Sequence, residues 1–202
     1  MRYFDLHVVY NEKFRETIDA LSNCGYSGVC ASFKGSDAKA IRVARNNARD
    51  LGLDFYSRYN IAASVIGEFN RQVSRFEGRF DYLAIDRVPL QVIMKANLRK
   101  ISIVDLNTIG FRAVKKLRSQ GNKTVIEFCL KRFSALSRSD YNSAQRMIRS
   151  ASFYDRSTIP MVITSGAEHP LDVKPPLQLL YTFLGLIRRE HVNKIYVSNP
   201  LL

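Results

Sequence analysis

Along the chain, short runs of β-branched and aromatic residues alternate with stretches whose apolar residues return every three or four positions. The first pattern suits a buried strand and the second an amphipathic helix, so the alternation predicts a βα architecture with parallel strands. Eight strands are expected, over residues 2–9, 28–33, 54–60, 81–87, 101–106, 124–130, 161–165 and 194–198. The intervening helices carry their own punctuation. Asn11 is placed to cap a first helix whose Phe14, Ile18 and Leu21 share one face, with Gly25 as its stop. Ser36 is expected to open a second, whose Ala38, Ile41, Ala44, Ala48 and Leu51 form an apolar stripe ending at Gly52. Further helices are predicted over 64–76, 109–119 and 139–152, the last preceded by a longer insertion after strand six. Pro89 and the pair Pro175-Pro176 sit where later helices should begin, since a first turn tolerates proline.

Eight strands separated by helices imply a closed barrel. Such barrels usually need about 250 residues, whereas this chain has 202. The expectation is therefore an α/β fold, a compact and distorted TIM-like β/α barrel, forming a single domain over 1–202 with no clear helix after the last strand.

Charge changes this picture from a fold to a surface. The formal net charge is +13, with 31 Lys and Arg against 18 Asp and Glu, a bias that favours a polyanionic partner. The excess is concentrated between residues 101 and 150, where ten basic residues face three acidic ones. In the second helix Lys39, Arg42, Arg45 and Arg49 repeat at three or four residues and project together. That face serves equally as a solvated surface or as a reader of phosphates. Cys24, Cys30 and Cys129 lack paired spacing and read as small buried hydrophobes, not as a zinc knuckle or a disulfide framework. No G-x-S-x-G elbow, Walker A loop or G-x-G-x-x-G is present. No apolar run is long enough for a membrane span, and Asp5 falls where a signal peptide stays apolar, so a cytoplasmic location without membrane association is expected.

Four segments resemble a known family. Thr124-Val125-Ile126-Glu127-Phe128-Cys129-Leu130 with the basic residues after it, and Ile159-Pro160-Met161-Val162-Ile163-Thr164-Ser165-Gly166-Ala167, resemble ribonuclease P protein component three, an archaeal and eukaryal family with a TIM-barrel-like fold. Tyr3-Phe4-Asp5-Leu6-His7-Val8-Val9-Tyr10 looks like its opening strand and Arg79-Phe80-Asp81-Tyr82-Leu83-Ala84-Ile85 like its fourth. The segment 54–60 fits only loosely, and Glu168-His169-Pro170-Leu171-Asp172 departs from the family pattern. The resemblance implies a protein subunit of ribonuclease P. Such a subunit would bind the catalytic RNA beside a small RRM-like partner of the Pop-five type and other ribonuclease P proteins. It would meet pre-tRNA through the holoenzyme during removal of the 5′ leader, with no cofactor of its own because magnesium is used by the RNA.

The same architecture resembles the polymerase-and-histidinol-phosphatase, or PHP, superfamily, whose first strand ends in a His-x-His metal pair. Here His7 is followed two residues on by Val9, so one ligand of the pair is missing. His169, His191, Asp86, Asp105 and Glu127 offer at most a weak alternative set. His7 is therefore expected to hydrogen-bond at a barrel mouth, and Glu127 to satisfy an interior neighbour. A metal-dependent phosphoesterase, or a scaffold for some other RNA, remains the alternative reading.

For RNA contact, the C-terminal strand ends matter because they form the open face of a barrel. Lys34, Arg58, Arg87, Lys131 and Arg132 are expected there. Arg42 and Arg45 follow on the second helix, Lys95, Arg99 and Lys100 close the fourth, and Lys115, Lys116 and Arg118 line the fifth. Tyr56, Tyr59 and Phe133 are candidates for stacking on unpaired bases or for the core. Joint substitution of Lys115 and Lys116 is expected to weaken RNA binding with the fold intact. The segment from Leu177 to Ile187 reads as core helix with some apolar positions left for a protein interface.

Overall fold

A computed structural model describes residues 2–106, 111–119, 124–154, 160–187 and 195–196. Its strands are β1 (Phe4–Val9), β2 (Gly28–Phe33), β3 (Asp54–Ile61), β4 (Tyr82–Ile85), β5 (Ile103–Asp105), β6 (Val125–Cys129), β7 (Met161–Thr164) and β8 (Ile195–Tyr196). They form one parallel sheet in sequence order, β1 to β8. The sheet curls back on itself where Val8 bridges Ala167, just after β7, and the Val9 N–H donates to the Ala167 carbonyl at 2.8 Å. The fold is thus the expected TIM-like β/α barrel, nearly closed and flanked by helices.

The helices are α1 (Phe14–Asn23), α2 (Ala38–Asp50), α3 (Ile66–Phe76), α4 (Leu90–Lys95), α5 (Phe111–Ser119), α6 (Leu130–Ser139), α7 (Tyr141–Tyr154) and α8 (Pro176–Ile187). Two local expectations are corrected. Asp37, not Ser36, caps α2, its carboxylate accepting from the Lys39 and Ala40 N–H groups. The insertion expected after strand six is itself helical: α6 starts directly at Leu130 and is followed by α7. At α1 the Asn11 side chain accepts from the Lys13 N–H one step before the helix, an Asx turn feeding the first turn rather than a cap within it. Gly25 (φ 87°) and Gly52 (φ 69°) adopt the left-handed backbone that ends α1 and α2. Whether a helix follows β8 lies outside the described residues. No described helix is long and apolar enough to cross a membrane.

Two apolar layers follow from the pleat. Outward-facing strand residues such as Val29, Ala31, Ile85 and Ile126 pack under the helices, with Phe14, Ile18, Leu21, Phe69 and Phe183 fully buried against them. Each such side chain contributes about 2 kcal/mol by leaving water. The inward-facing set fills the N-terminal half of the barrel with Phe4, Leu6, Cys30, Tyr82, Ala84, Ile103, Val125 and Val162. Going up each strand by two residues, the inward positions turn polar: Arg58 on β3, Asp86 after β4, Asp105 on β5, Glu127 on β6 and Thr164 on β7. The barrel is therefore greasy at its base and ionic at its mouth.

Candidate functional site

The ionic layer depends on an irregularity in β1. Its pairing with β2 advances from Asp5↔Val29 to Val8↔Ala31, one residue more on β1 than on β2. A bulge of this kind flips the inward–outward alternation. Below it Phe4 and Leu6 face the barrel axis; above it His7 and Val9 line the mouth. His7 thereby reaches Glu127, with Nδ1 at 2.8 Å from Oε1.

Glu127 is the hub of the interior. Arg58 grips both its carboxylate oxygens, at 3.1 and 2.8 Å, and the Thr164 hydroxyl donates to Oε1 at 2.7 Å. Arg58 spends two further donors on the Leu6 carbonyl at 2.7 Å and the Asn60 side chain at 2.8 Å. Burial alone would push the Glu127 carboxyl up, but the Arg58 charge and then His7 outweigh it and hold the group well below the usual glutamate range. Burial, and after it the positive charge of Arg58, drives the imidazole of His7 downward. The histidine is thus neutral at pH 7, and since an ionised carboxylate only accepts, Nδ1 carries the proton and Nε2 is left as an acceptor.

A second clamp lies above the first. Arg132, from the opening turn of α6, spans Asp86 at 2.7 Å and Asp105 at 2.6 Å. Desolvation opposes its charge, but the two aspartates reverse that and raise the guanidinium further. Together the two layers floor a cavity of about 590 Å³ that opens at the mouth. Lys34, Arg87 and Lys131 stand on its walls beside Phe33, Tyr59 and Glu168. Arg87 has φ 53°, a left-handed conformation that a non-glycine residue adopts at a cost; its side chain is 82% exposed.

His7, Glu127 and Cys129 place one potential ligand atom each within 4.8 Å of one another. They do not fit a metal ion. A guanidinium already occupies the bidentate position on Glu127, the His7 nitrogen facing that carboxylate is a donor, and burial pushes the Cys129 thiol up to about 12, away from a thiolate. Asp86 and Asp105 are likewise committed to Arg132. His169 is spent on a turn, its Nδ1 accepting from the Leu171 N–H at the start of the 3₁₀ segment Pro170–Asp172. His191 lies outside the described residues.

The expected RNA-contact residues divide into groups. Lys34 and Arg87 are exposed at the mouth, and Lys131 stands there too, tied to Glu168 at 3.1 Å and Asp172 at 2.8 Å. Arg42 and Arg45 are exposed on α2 with Lys39 and Arg49, Arg45 lying 5.6 Å from the centroid of the Phe55 ring. Lys95, Arg99 and Lys100 are exposed at the opposite, N-terminal end of the barrel, where Lys100 pairs with Glu77 at 2.6 Å. Lys115 is exposed on α5, and the side chain of Arg118 lies outside the described residues.

Three expectations are corrected. Arg58, placed on the open face by sequence, has a side chain only 1% exposed and serves Glu127. Arg132 does stand at the mouth, but it is only a quarter exposed and its charge is taken up by two aspartates. Lys116 turns its ammonium onto the C-terminal carbonyls of α4, Ile93 at 3.2 Å, Met94 at 2.9 Å and Ala96. The candidate stacking aromatics pack inside: Tyr59 stacks on Phe76, Phe133 lies against Phe128, and Tyr56 against Tyr82. Sequence reasoning passed over Thr164 and Asp5. Both alternate in phase with neighbours that face the barrel or its seam, but nothing in their own spacing marks them.

The fold and site define a parallel β/α barrel whose mouth pairs Asp86, Asp105 and Glu127 with two arginines and whose chain carries a strongly basic surplus. Its fold is similar to that of a chain in the cryo-EM structure of archaeal ribonuclease P with mature tRNA, with a TM-score of 0.73, 18% identity, and coverage of 91% of this chain and 82% of that one. A mandelate racemase/muconate lactonizing protein from Herpetosiphon aurantiacus also aligns, at a TM-score of 0.43 and 12% identity over 99% of this chain and 55% of its own. No protein-family model and no curated protein sequence matches the chain.

Proposed function

We propose that this chain is an RNA-binding protein subunit of an archaeal-type ribonuclease P. In this role it supports removal of the 5′ leader from pre-tRNA together with the catalytic RNA, a Pop-five-type partner and other proteins of the assembly. The observation that carries the reading is the combination of this barrel with a net charge of +13, displayed on the α2 face, on α5 and at both ends of the barrel. Phosphates are the matching partner for cations spread over several faces, because each neutralised phosphate releases counterions and adds to affinity without demanding a carved pocket. Chemistry by the chain alone is not part of this role. Arg58 and Arg132 hold the acids that a metallophosphoesterase would need for its ions, and magnesium belongs to the RNA.

Reconstitution tests the reading. The chain, its RNA and the Pop-five-type partner are combined, and pre-tRNA cleavage is measured at limiting magnesium. In parallel, the chain alone is given manganese or zinc and model phosphoesters. Cleavage should rise above that of RNA with the partner alone. No rise would point to another RNA-binding scaffold, and turnover of phosphoesters by the chain alone would establish the PHP-type reading instead.

A further inference from the structure

The mouth cavity is unlike the rest of the basic surface. Of its cations, Arg132 is matched by Asp86 and Asp105, and Lys131 by Glu168 and Asp172. The inner wall is therefore a set of charge-compensated donors and acceptors, which suits a neutral polar molecule and disfavours a second anion. Lys34 and Arg87 differ. Among the described residues Lys34 has no acidic partner within 4 Å, and Arg87 approaches Asp86 only at 3.7 Å, while Arg132 holds the same oxygen at 2.7 Å. The rim thus offers two cations to an incoming anion, and Arg87 is held there in a strained backbone.

Phe33 and Tyr59 border the cavity, but their rings are already stacked on Tyr10 and Phe76 in the outer layer, so what a ligand meets inside is polar: Ser32, Asn60 and His7, the last a floor whose free ring nitrogen accepts a hydrogen bond. At about 590 Å³ the cavity lies in the range of small-ligand pockets. The ionic layers close it below, so a continuous duplex cannot enter.

We infer that the barrel mouth receives one unpaired nucleotide of RNA, the neutral base entering the cavity over His7 and beside the Arg132 clamp and its phosphate resting on Lys34 and Arg87. Single-stranded or bulged RNA is recognised in this way, through bases turned out of the stack. The inference rests on the RNA-binding reading above and specifies which part of an RNA the mouth selects.

Fluorescence anisotropy with the full chain compares a hairpin carrying a one-nucleotide bulge with the same stem fully paired. The bulged RNA should bind about tenfold tighter, the order expected of one or two net hydrogen bonds to an inserted base. Ala62→Trp adds bulk at the exposed lip of the cavity without changing any charge and should bring the ratio to one, leaving paired-stem affinity within twofold. Lys34→Gln with Arg87→Gln should also abolish the preference, and unchanged circular dichroism will confirm the fold of each variant. Equal binding of the two hairpins, or a preference that survives Ala62→Trp, overturns the inference while leaving general RNA binding in place. If neither hairpin binds, the RNA-binding reading itself fails. Calorimetry with adenosine and uridine monophosphates then decides the pocket alone: binding lost in Ala62→Trp sustains a nucleotide site, and no binding removes it.

Discussion

Glu127 shows how a single buried charge acquires its meaning from its neighbours. Two ionised groups taken out of water are tolerable because Arg58 is bidentate on the carboxylate and two more of its donors reach Leu6 and Asn60. Glu127→Gln keeps the shape but strands the guanidinium, and should cost about 3–5 kcal/mol, the range for breaking a buried pair. Urea denaturation will register it as a fall in midpoint without a change of slope. Because Glu127 is held below its ordinary value, its stabilisation is complete above about pH 4.3 and is lost as pH falls through its folded value. Asp5 works the other way. Burial pushes its carboxyl up from 3.8 to about 6, so the folded state binds more protons than the unfolded one between those values and stability declines as pH rises across that window. Asp5→Asn keeps an acceptor for the His7 and Ser165 N–H groups and removes the charge. It should raise stability at pH 7 by up to about 3 kcal/mol and flatten the slope between pH 4 and 6, and melting curves across that range will check both. The sequence placed Glu127 against an interior neighbour and His7 in a hydrogen bond at the barrel mouth, as found, but the identity of the partners and the role of Asp5 could not be read from it. A bulge sets which way His7 points, and Arg58 looks like any surface arginine near a strand end until the strand's inward phase is known.

At the level of elements, more was legible. Short apolar runs mark all eight strands and a 3.6-residue period most helices, because both faces of a parallel strand are buried and each helix keeps one polar side. The boundary errors have physical sources. Either Ser36 or Asp37 could cap α2, and the carboxylate reached the free N–H groups. The start of α6 was hidden because Leu130 continues the apolar run of β6 with no turn residue between them. Lys116 was misjudged for a related reason: helical spacing puts it beside Lys115, but its ammonium crosses to α4 and closes three C-terminal carbonyls. A cation there answers the helix dipole and the unpaired carbonyls at once. The two lysines should therefore separate. Lys116→Ala should cost about 1 kcal/mol of stability, lowering the melting temperature by roughly 2–4 °C in a domain of this size. Lys115→Ala should leave the melt unchanged and weaken RNA binding by a factor seen in anisotropy; the reverse pattern would mean that α5 faces no RNA.

For the whole molecule, the decisive feature is that charge is divided by depth. Among the described residues, Asp86, Asp105 and Glu127 share two arginines and Asp5 is held by backbone N–H groups, so the interior contributes no positive charge and the +13 surplus stands on the outside. A surface of that kind binds through counterion release, and the logarithm of affinity should fall linearly with the logarithm of salt, by about 0.7 to 0.9 for each phosphate engaged. The α2 face offers a clean measure, since Lys39, Arg42, Arg45 and Arg49 are exposed and lie opposite the buried Ala44 and Ala48. Replacing the four by glutamine should reduce the salt slope by roughly 3 if all of them meet phosphates. The same substitution leaves the mouth untouched, so any preference for bulged over paired RNA should persist at lower overall affinity. Titrations of both hairpins at several potassium concentrations separate the two contributions: an unchanged slope would remove α2 from the interface and move the burden to α5 and the barrel ends.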